Sequence, residues 1–155
     1  MRNPIQLLRK QIGFTLIEMV VVVAILGIIL GIAAPWMQSY ILNQRVRNAS
    51  FDLTSDLLLA RAEATKRNAD VLMTATGGSW QNGWTISAGG VALKQRQSIR
   101  DLAITATGGT TVTFRHNGRL SGNAQQFDLN STDSSAGITP RKLCVGTSGK
   151  VSSEC

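Results

Sequence analysis

The amino-acid sequence predicts an α+β protein in which one long N-terminal helix, transmembrane over its first half, packs on a small antiparallel β-sheet domain. Three patterns predict it. Residues 14–34 are almost wholly apolar apart from Thr15 and Glu18; an amphipathic helical stripe follows; and from Asp70 onward short runs rich in threonine, valine and isoleucine are separated by glycines.

The first element is the apolar run, 14–35. About 20 apolar residues suffice to cross the hydrocarbon of a bilayer, and 19–44 carries no charged side chain. Arg2, Arg9 and Lys10 stand just before it. By the positive-inside rule they keep the short N-terminus cytoplasmic and place the rest of the chain outside, in the periplasm or beyond. An ordinary secretory signal has a shorter apolar core with its cleavage site after it. Here Gly13 precedes the apolar run, so a cut at that glycine would remove 1–13 as a leader and leave the anchor in place.

The helical pattern continues over 36–68. Val46, Ala49, Leu53, Leu57, Ala60 and Ala64 recur at steps of three and four, with Arg45, Arg47, Asp52, Asp56, Glu63 and Lys66 mostly off that stripe. A helix from Phe14 to about Asn68 would be roughly 80 Å long at 1.5 Å per residue. Its first half suits lipid or neighbouring subunits, and its second half suits packing of a domain.

The third element, 69–155, reads as an antiparallel sheet. Strands are predicted at 71–76, 84–87, 91–97, 102–107 and 111–115, with turns at Gly77-Gly78, Gly89-Gly90, Gly108-Gly109 and Asn117-Gly118. A later strand includes 126–129, a serine-rich loop covers 131–137, and a final hairpin spans 141–151.

Composition narrows the chemistry. The 155 residues leave room for one modest domain after the anchor. Sixteen bases against nine acids give +7, of which Arg2, Arg9 and Lys10 would leave with the leader, so the remainder carries about +4. That charge serves solubility or an anionic partner. Cys144 and Cys155, both within the last twelve residues, fit one disulfide formed in an oxidising compartment, pinning the tail. A metal site would need more ligands than these two and the lone His116. No paired carboxylates, nucleophile and base set or phosphate loop stands out, so the sequence points to a non-enzyme without cofactor.

Gly13-Phe14-Thr15-Leu16-Ile17-Glu18, at the head of an apolar run, resembles the leader motif of type IV pilins and type II secretion pseudopilins. The resemblance implies the pilin fold, cleavage after Gly13 by a prepilin peptidase, N-methylation of the new Phe14 amine and assembly with other pilins through the helix. A carboxylate in an apolar span needs a partner or an interface. Glu18 could meet the Phe14 amine of an adjacent subunit and set register. Pro35 matches the proline that kinks this helix in the family; it lacks an amide hydrogen and would weaken the helix near Gly31.

Three further stretches are similar to the FimT/GspH family of minor pilins and pseudopilins. They are Trp80-Gln81-Asn82-Gly83-Trp84, then 112–119, then 143–151 with Cys155. Trp80 and Trp84 read as core and turn packing, and His116 as an exposed turn residue. The resemblance implies a minor pilin of a type IV pilus that supports assembly and sequence-independent binding of double-stranded DNA during natural transformation. Such a chain sits first in the inner membrane, then in a pilus at the cell surface. The alternative is a GspH-like minor pseudopilin of a type II secretion system that binds no DNA. Arg141, Lys142 and Lys150, with Arg115 and Arg119 on the preceding hairpin, are the candidate phosphate contacts. Gly149-Lys150-Val151-Ser152 stands where the DNA-binding members carry Gly-Arg-x-Arg. Lysine keeps the charge there but loses the guanidinium fork.

Overall fold

The computed structural model describes residues 13–133 and 137–153, without the side chains of 33–36. The chain divides into two compact units, Met1–Met37 and Gln38–Cys155. Helix α1 runs Leu16–Arg67. Thr15 caps it: the hydroxyl Oγ1 accepts the Glu18 backbone N–H at 3.3 Å, satisfying one of the donors that a helix start leaves unpaired. Glu18 in the first turn and Lys66 and Arg67 in the last complement the helix dipole.

In the first unit the described side chains from Phe14 to Ile32 are all exposed. Among the described residues no single helix is long and apolar enough to cross a membrane; Leu16–Ile32 and Met37–Arg67 meet that test only together. Pro35, the expected kink, falls among 33–36 and so outside the described side chains.

In the second unit the predicted stripe is the helix's buried face. Val46, Ala49, Leu53, Leu57, Ala60 and Ala64 are each at most 2% exposed and join one core with both β layers. Truncating a residue such as Leu53 in a core of this kind costs about 2 to 5 kcal/mol. The strands are β1 (Val71–Ala75), β2 (Gly83–Ala88), β3 (Val91–Gln97), β4 (Leu102–Ala106), β5 (Thr111–Phe114), β6 (Gln125–Ser131), β7 (Arg141–Val145) and β8 (Val151–Ser152). Alternation does its usual work: Val71, Met73 and Ala75 face inward on β1, and Phe127 and Leu129 on β6.

The small sheet expected from the sequence is in fact two four-stranded antiparallel sheets, ordered β3-β2-β1-β5 and β4-β6-β7-β8. The divergence comes at Gly108-Gly109, which reads as a hairpin turn but carries the chain from one sheet to the other. Tertiary bonds hold that crossing. Trp80 Nε1 donates to the Gly109 carbonyl at 2.9 Å, and Ala75 N–H donates to the Thr110 carbonyl at 2.8 Å. From β6, Gln125 Nε2 reaches the Thr111 carbonyl of β5 at 3.2 Å. Trp80 also meets Phe127 edge-on, ring centroids 5.0 Å apart, so one indole touches both layers.

Asp56 departs from the sequence reading, which set it off the buried stripe. It is fully buried. Its carboxylate accepts Trp84 Nε1 at 3.0 Å, Lys94 Nζ at 2.6 Å and Arg96 Nε at 3.1 Å. Burial alone would raise its pKa. The hydrogen bonds from Lys94, Arg96 and Trp84, with the charge of Arg96, outweigh that and hold it below the ordinary carboxylate value.

A depressed pKa in the folded state means stability that is present above the unfolded-state pKa of about 3.9 and lost as pH falls through the lower folded value. The unfolding free energy is therefore expected to hold steady near neutrality and drop below about pH 4, with Asp56→Asn flattening that drop. Asp56→Ala, which strands a buried indole N–H beside two cations, should cost about 2 to 4 kcal/mol. Urea unfolding across pH checks both; an acid limb unchanged in Asp56→Asn would remove Asp56 as its source.

Candidate functional site

The head of α1 is open. A Cβ on Gly13 would have nothing within 4 Å of it, and Phe14 is 76% exposed. The Gly13–Phe14 bond lies ahead of the first helical residue, Leu16, in backbone without regular structure. Glu18 follows one turn in, exposed, its backbone N–H already used by Thr15.

The five candidate phosphate contacts are all exposed but do not form one patch. Arg115 and Arg119 flank the turn after β5, where Arg115 N–H donates to the Arg119 carbonyl at 2.8 Å. The β7–β8 turn rests against it: Leu120 N–H donates to the Thr147 carbonyl at 3.1 Å. At the point of closest approach Gly149 faces Gly118, and a Cβ on Gly149 would lie 2.1 Å from the Gly118 carbonyl oxygen. Lys150 is thereby brought beside the Arg115–Arg119 turn.

Arg141 and Lys142 lie elsewhere. Arg141 begins β7, four residues before Val145 and so about 13 Å along the strand from it. It shares a strand face with buried Leu143 and Val145, whereas Lys142 is on the opposite face, in register with Asp128 of β6. The strand's two-residue period separates two bases that are adjacent in sequence.

The structure supplies a base the sequence reading missed. Arg61, on α1, places Nε 3.1 Å from the Cβ position of Gly149 and 3.3 Å from that of Gly118, so it sits under both turns. Its position four residues after Leu57 and three before Ala64 marks it as flanking the buried stripe. Arg61 therefore lies beneath two abutting turns, one of which carries Arg115 and Arg119 while the other leads into Lys150.

His116 is exposed in its turn, its backbone N–H donating to Asp70 Oδ1 at 3.3 Å. Trp80 and Trp84 are buried, 3% and 1% exposed. Among the described residues no group of His, Cys, Asp and Glu could hold a metal ion. Cys144, half-buried on β7, is not a free thiol; Cys155 lies outside the described residues.

The Gly118–Gly149 contact has a direct test. Gly149 has φ +76°, a conformation costly for any residue with a Cβ. Gly149→Ala combines that strain with a backbone clash and should destabilise the second unit by about 2 kcal/mol or more. Chemical denaturation of the full chain checks this, and an unchanged midpoint would mean that the two turns do not interlock.

Comparisons with known proteins place this geometry. The fold matches the type IV minor pilin FimU of Pseudomonas aeruginosa strain PAO1 with a TM-score of 0.63 at 21% identity, covering 72% of this chain and 90% of that one. A second crystal form of FimU gives 0.60 at 21% identity, over 70% of this chain and 92% of that one. The minor pseudopilin EpsH from the Type 2 Secretion System of Vibrio cholerae gives 0.54 at 11% identity, over 70% of this chain and 94% of that one. At these identities the likeness establishes the fold. No curated protein sequence matches the chain. The prokaryotic N-terminal methylation motif matches residues 8–34, and the family model of the type II transport protein GspH matches residues 49–149. The chain belongs to the GspH family of type IV pilin-like proteins.

Proposed function

We propose that the chain is a minor subunit of a type IV pilus, cut after Gly13 by a prepilin peptidase, methylated on Phe14 and assembled through α1. The observation that carries this reading is the exposed apolar helix headed by Gly13, Phe14 and Glu18. An apolar surface running from Phe14 to Ile32 cannot rest in water. Lipid covers it before assembly and neighbouring helices cover it afterwards, with the domain on the periplasmic side. Cleavage also creates the charge that Glu18 needs: the Phe14 amine does not exist in the precursor. In a filament the Glu18 carboxylate pairs with that amine on an adjacent subunit, which offsets the cost of a buried charge and sets the axial register. Pro35 eases the helix locally, and a Cys144–Cys155 bridge fastens the tail to β7.

Gly13→Ala is expected to leave a full-length precursor that stays in the membrane fraction and is absent from sheared filaments. Immunoblotting of both fractions decides it, and a mature-length band from the variant would sink the proposed cut.

The finer part of the proposal is that Arg61, Arg115, Arg119 and Lys150 contact the phosphates of double-stranded DNA without reading bases, as DNA uptake requires. Four bases on or beneath two abutting turns support it, since unpatterned charge positions a duplex but carries no sequence information. Binding of a mixed-sequence duplex to the detergent-solubilised full chain should weaken with salt. Replacing Arg115, Arg119 and Lys150 with Ala should lower the slope of log affinity against log salt by about 0.9 for each phosphate left unneutralised. Replacing Arg141 and Lys142 should leave that slope unchanged. No binding even at low salt would favour the second reading, a pseudopilin of a type II secretion system, to which the GspH match gives specific support.

A further inference from the structure

Asp128-Leu129-Asn130-Ser131-Thr132 crosses the end of β6 into the loop that follows. It sets an asparagine amide two residues before a hydroxyl, the Asn-x-Ser/Thr pattern of N-linked glycan acceptors. It also sets a carboxylate two residues before the asparagine, the addition that bacterial acceptors carry. Alternation along the strand turns Leu129 and Ser131 inward and leaves Asp128 and Asn130 on the outer face. Asn130 is exposed, and so is Thr132. The sheet leaves space around Asn130: its register partner on β4 is Ala103, which offers only a methyl group, and on the other side β7 pairs no further than Arg141 with Leu129, one residue short. Asn130 Oδ1 accepts the Ser131 N–H at 2.8 Å, which fixes the amide by its oxygen. Among the described residues Nδ2 of Asn130 and the Thr132 hydroxyl make no hydrogen bond. The other Asn-x-Ser/Thr, Asn48-Ala49-Ser50, lies within α1 with Val46 two residues before it, and its middle residue is buried in the core. To serve as an acceptor it would have to unwind a packed helix.

We infer that Asn130 is the acceptor of an N-linked oligosaccharide, transferred by a membrane enzyme from a polyprenyl-pyrophosphate-linked donor as the domain emerges on the periplasmic side. This rests on the reading that places the domain on that side. In the transfer Asn130 Nδ2 attacks C1 of the first sugar and a C–N bond forms. The C1–O bond to pyrophosphate breaks, and its electron pair leaves with the polyprenyl pyrophosphate, which also takes up the proton lost from Nδ2. The fold dictates the timing. Once Asn130 is paired with Ala103, and the Ser131 hydroxyl and the Thr132 N–H both hold the Asp101 carbonyl, at 3.3 and 3.1 Å, the segment cannot bend into an enzyme site. Transfer therefore precedes the closure of β4 on β6. The finished sheet accommodates the product, because the sugar leaves from its outer face while the core residues of α1 pack with the buried, inner face. A bulky polar chain at this position has a consequence for assembly: the outer surface of β4 and β6 faces solvent in the filament rather than a neighbouring subunit.

The test is mass spectrometry of residues 120–141, which trypsin releases as one peptide, from the full chain in the envelope of cells that make it. Protease shaving of spheroplasts reports in parallel on which side of the membrane the domain lies. The expected result is a saccharide mass increment that fragmentation assigns to Asn130, on a chain that shaving digests. Asn130→Gln, Thr132→Ala and Asp128→Ala should each abolish the increment, whereas Thr132→Ser and Asn48→Gln should leave it in place. Asn130→Gln alters an exposed side chain and should keep the thermal midpoint of the unglycosylated chain, which separates loss of the acceptor from loss of the fold. A wild-type peptide without the increment, from a chain that shaving digests, would overturn the inference and leave the pilin reading standing. An unmodified chain that resists shaving would overturn both. An increment that survives Asn130→Gln, or one carried by Asn48 instead, would also overturn the inference.

Discussion

A single buried carboxylate organises the second unit. Asp56 sits on the inward face of α1 and accepts three hydrogen bonds, one from Trp84 on β2 and two from Lys94 and Arg96 on β3. Removing a charge from water is costly, and the cost is tolerable only where donors converge on it. That requirement constrains the packing: β2 and β3 must approach the helix at one height, with the Trp84 indole turned toward Asp56. Apolar contacts alone would leave several sliding registers close in energy. Asp52, one turn earlier, adds a second contact to Arg96 at 3.3 Å, so the edge strand is held at two points along the helix.

The edge position of β3 gives that clamp a further consequence. An open strand edge invites pairing with other chains, and charged side chains are a common defence. Here Lys94 and Arg96 belong to the edge strand itself, so the cations that anchor it also discourage sheet-to-sheet addition. A protein destined for a filament must associate through chosen surfaces. The exposed apolar face of α1 remains available, and the edge strand β3 is guarded.

The crossing between the two sheets works by the same logic with neutral groups. Trp80, Ala75 and Gln125 each bond to the backbone of 109–111. Gly108 is pressed against the Gln125 side chain, where a Cβ would come within 2.3 Å of Cδ. The two layers therefore share a seam of hydrogen bonds as well as a core, and the turns that carry Arg119 and Lys150 extend one from each layer of that joined body.

Much of this was legible in the residues themselves. The stripe from Val46 to Ala64, the strand positions and the leader motif follow from local periods and from motif chemistry, because helix and strand geometry impose those spacings wherever the element lies. Asp56 shows the limit. It stands three residues after Leu53 and four before Ala60, yet its charge set it with the off-stripe residues, because the donors that make its burial tolerable lie 28 to 40 residues away. The division into two sheets was hidden for a similar reason: Gly108-Gly109 has the local chemistry of a hairpin, and only the distant Trp80 and Gln125 convert it into a crossing. The basic residues followed suit, with Arg61 joining Arg119 and Lys150 while Arg141 and Lys142 parted to opposite faces of one strand. The sequence by itself determined the order of the parts, a methylation-motif head, an apolar helix, an amphipathic helix and a β domain, because each is written in contiguous residues. Tertiary structure alone decided which charges are buried, paired or left free, because those outcomes depend on donors and acceptors that meet only when separate segments pack.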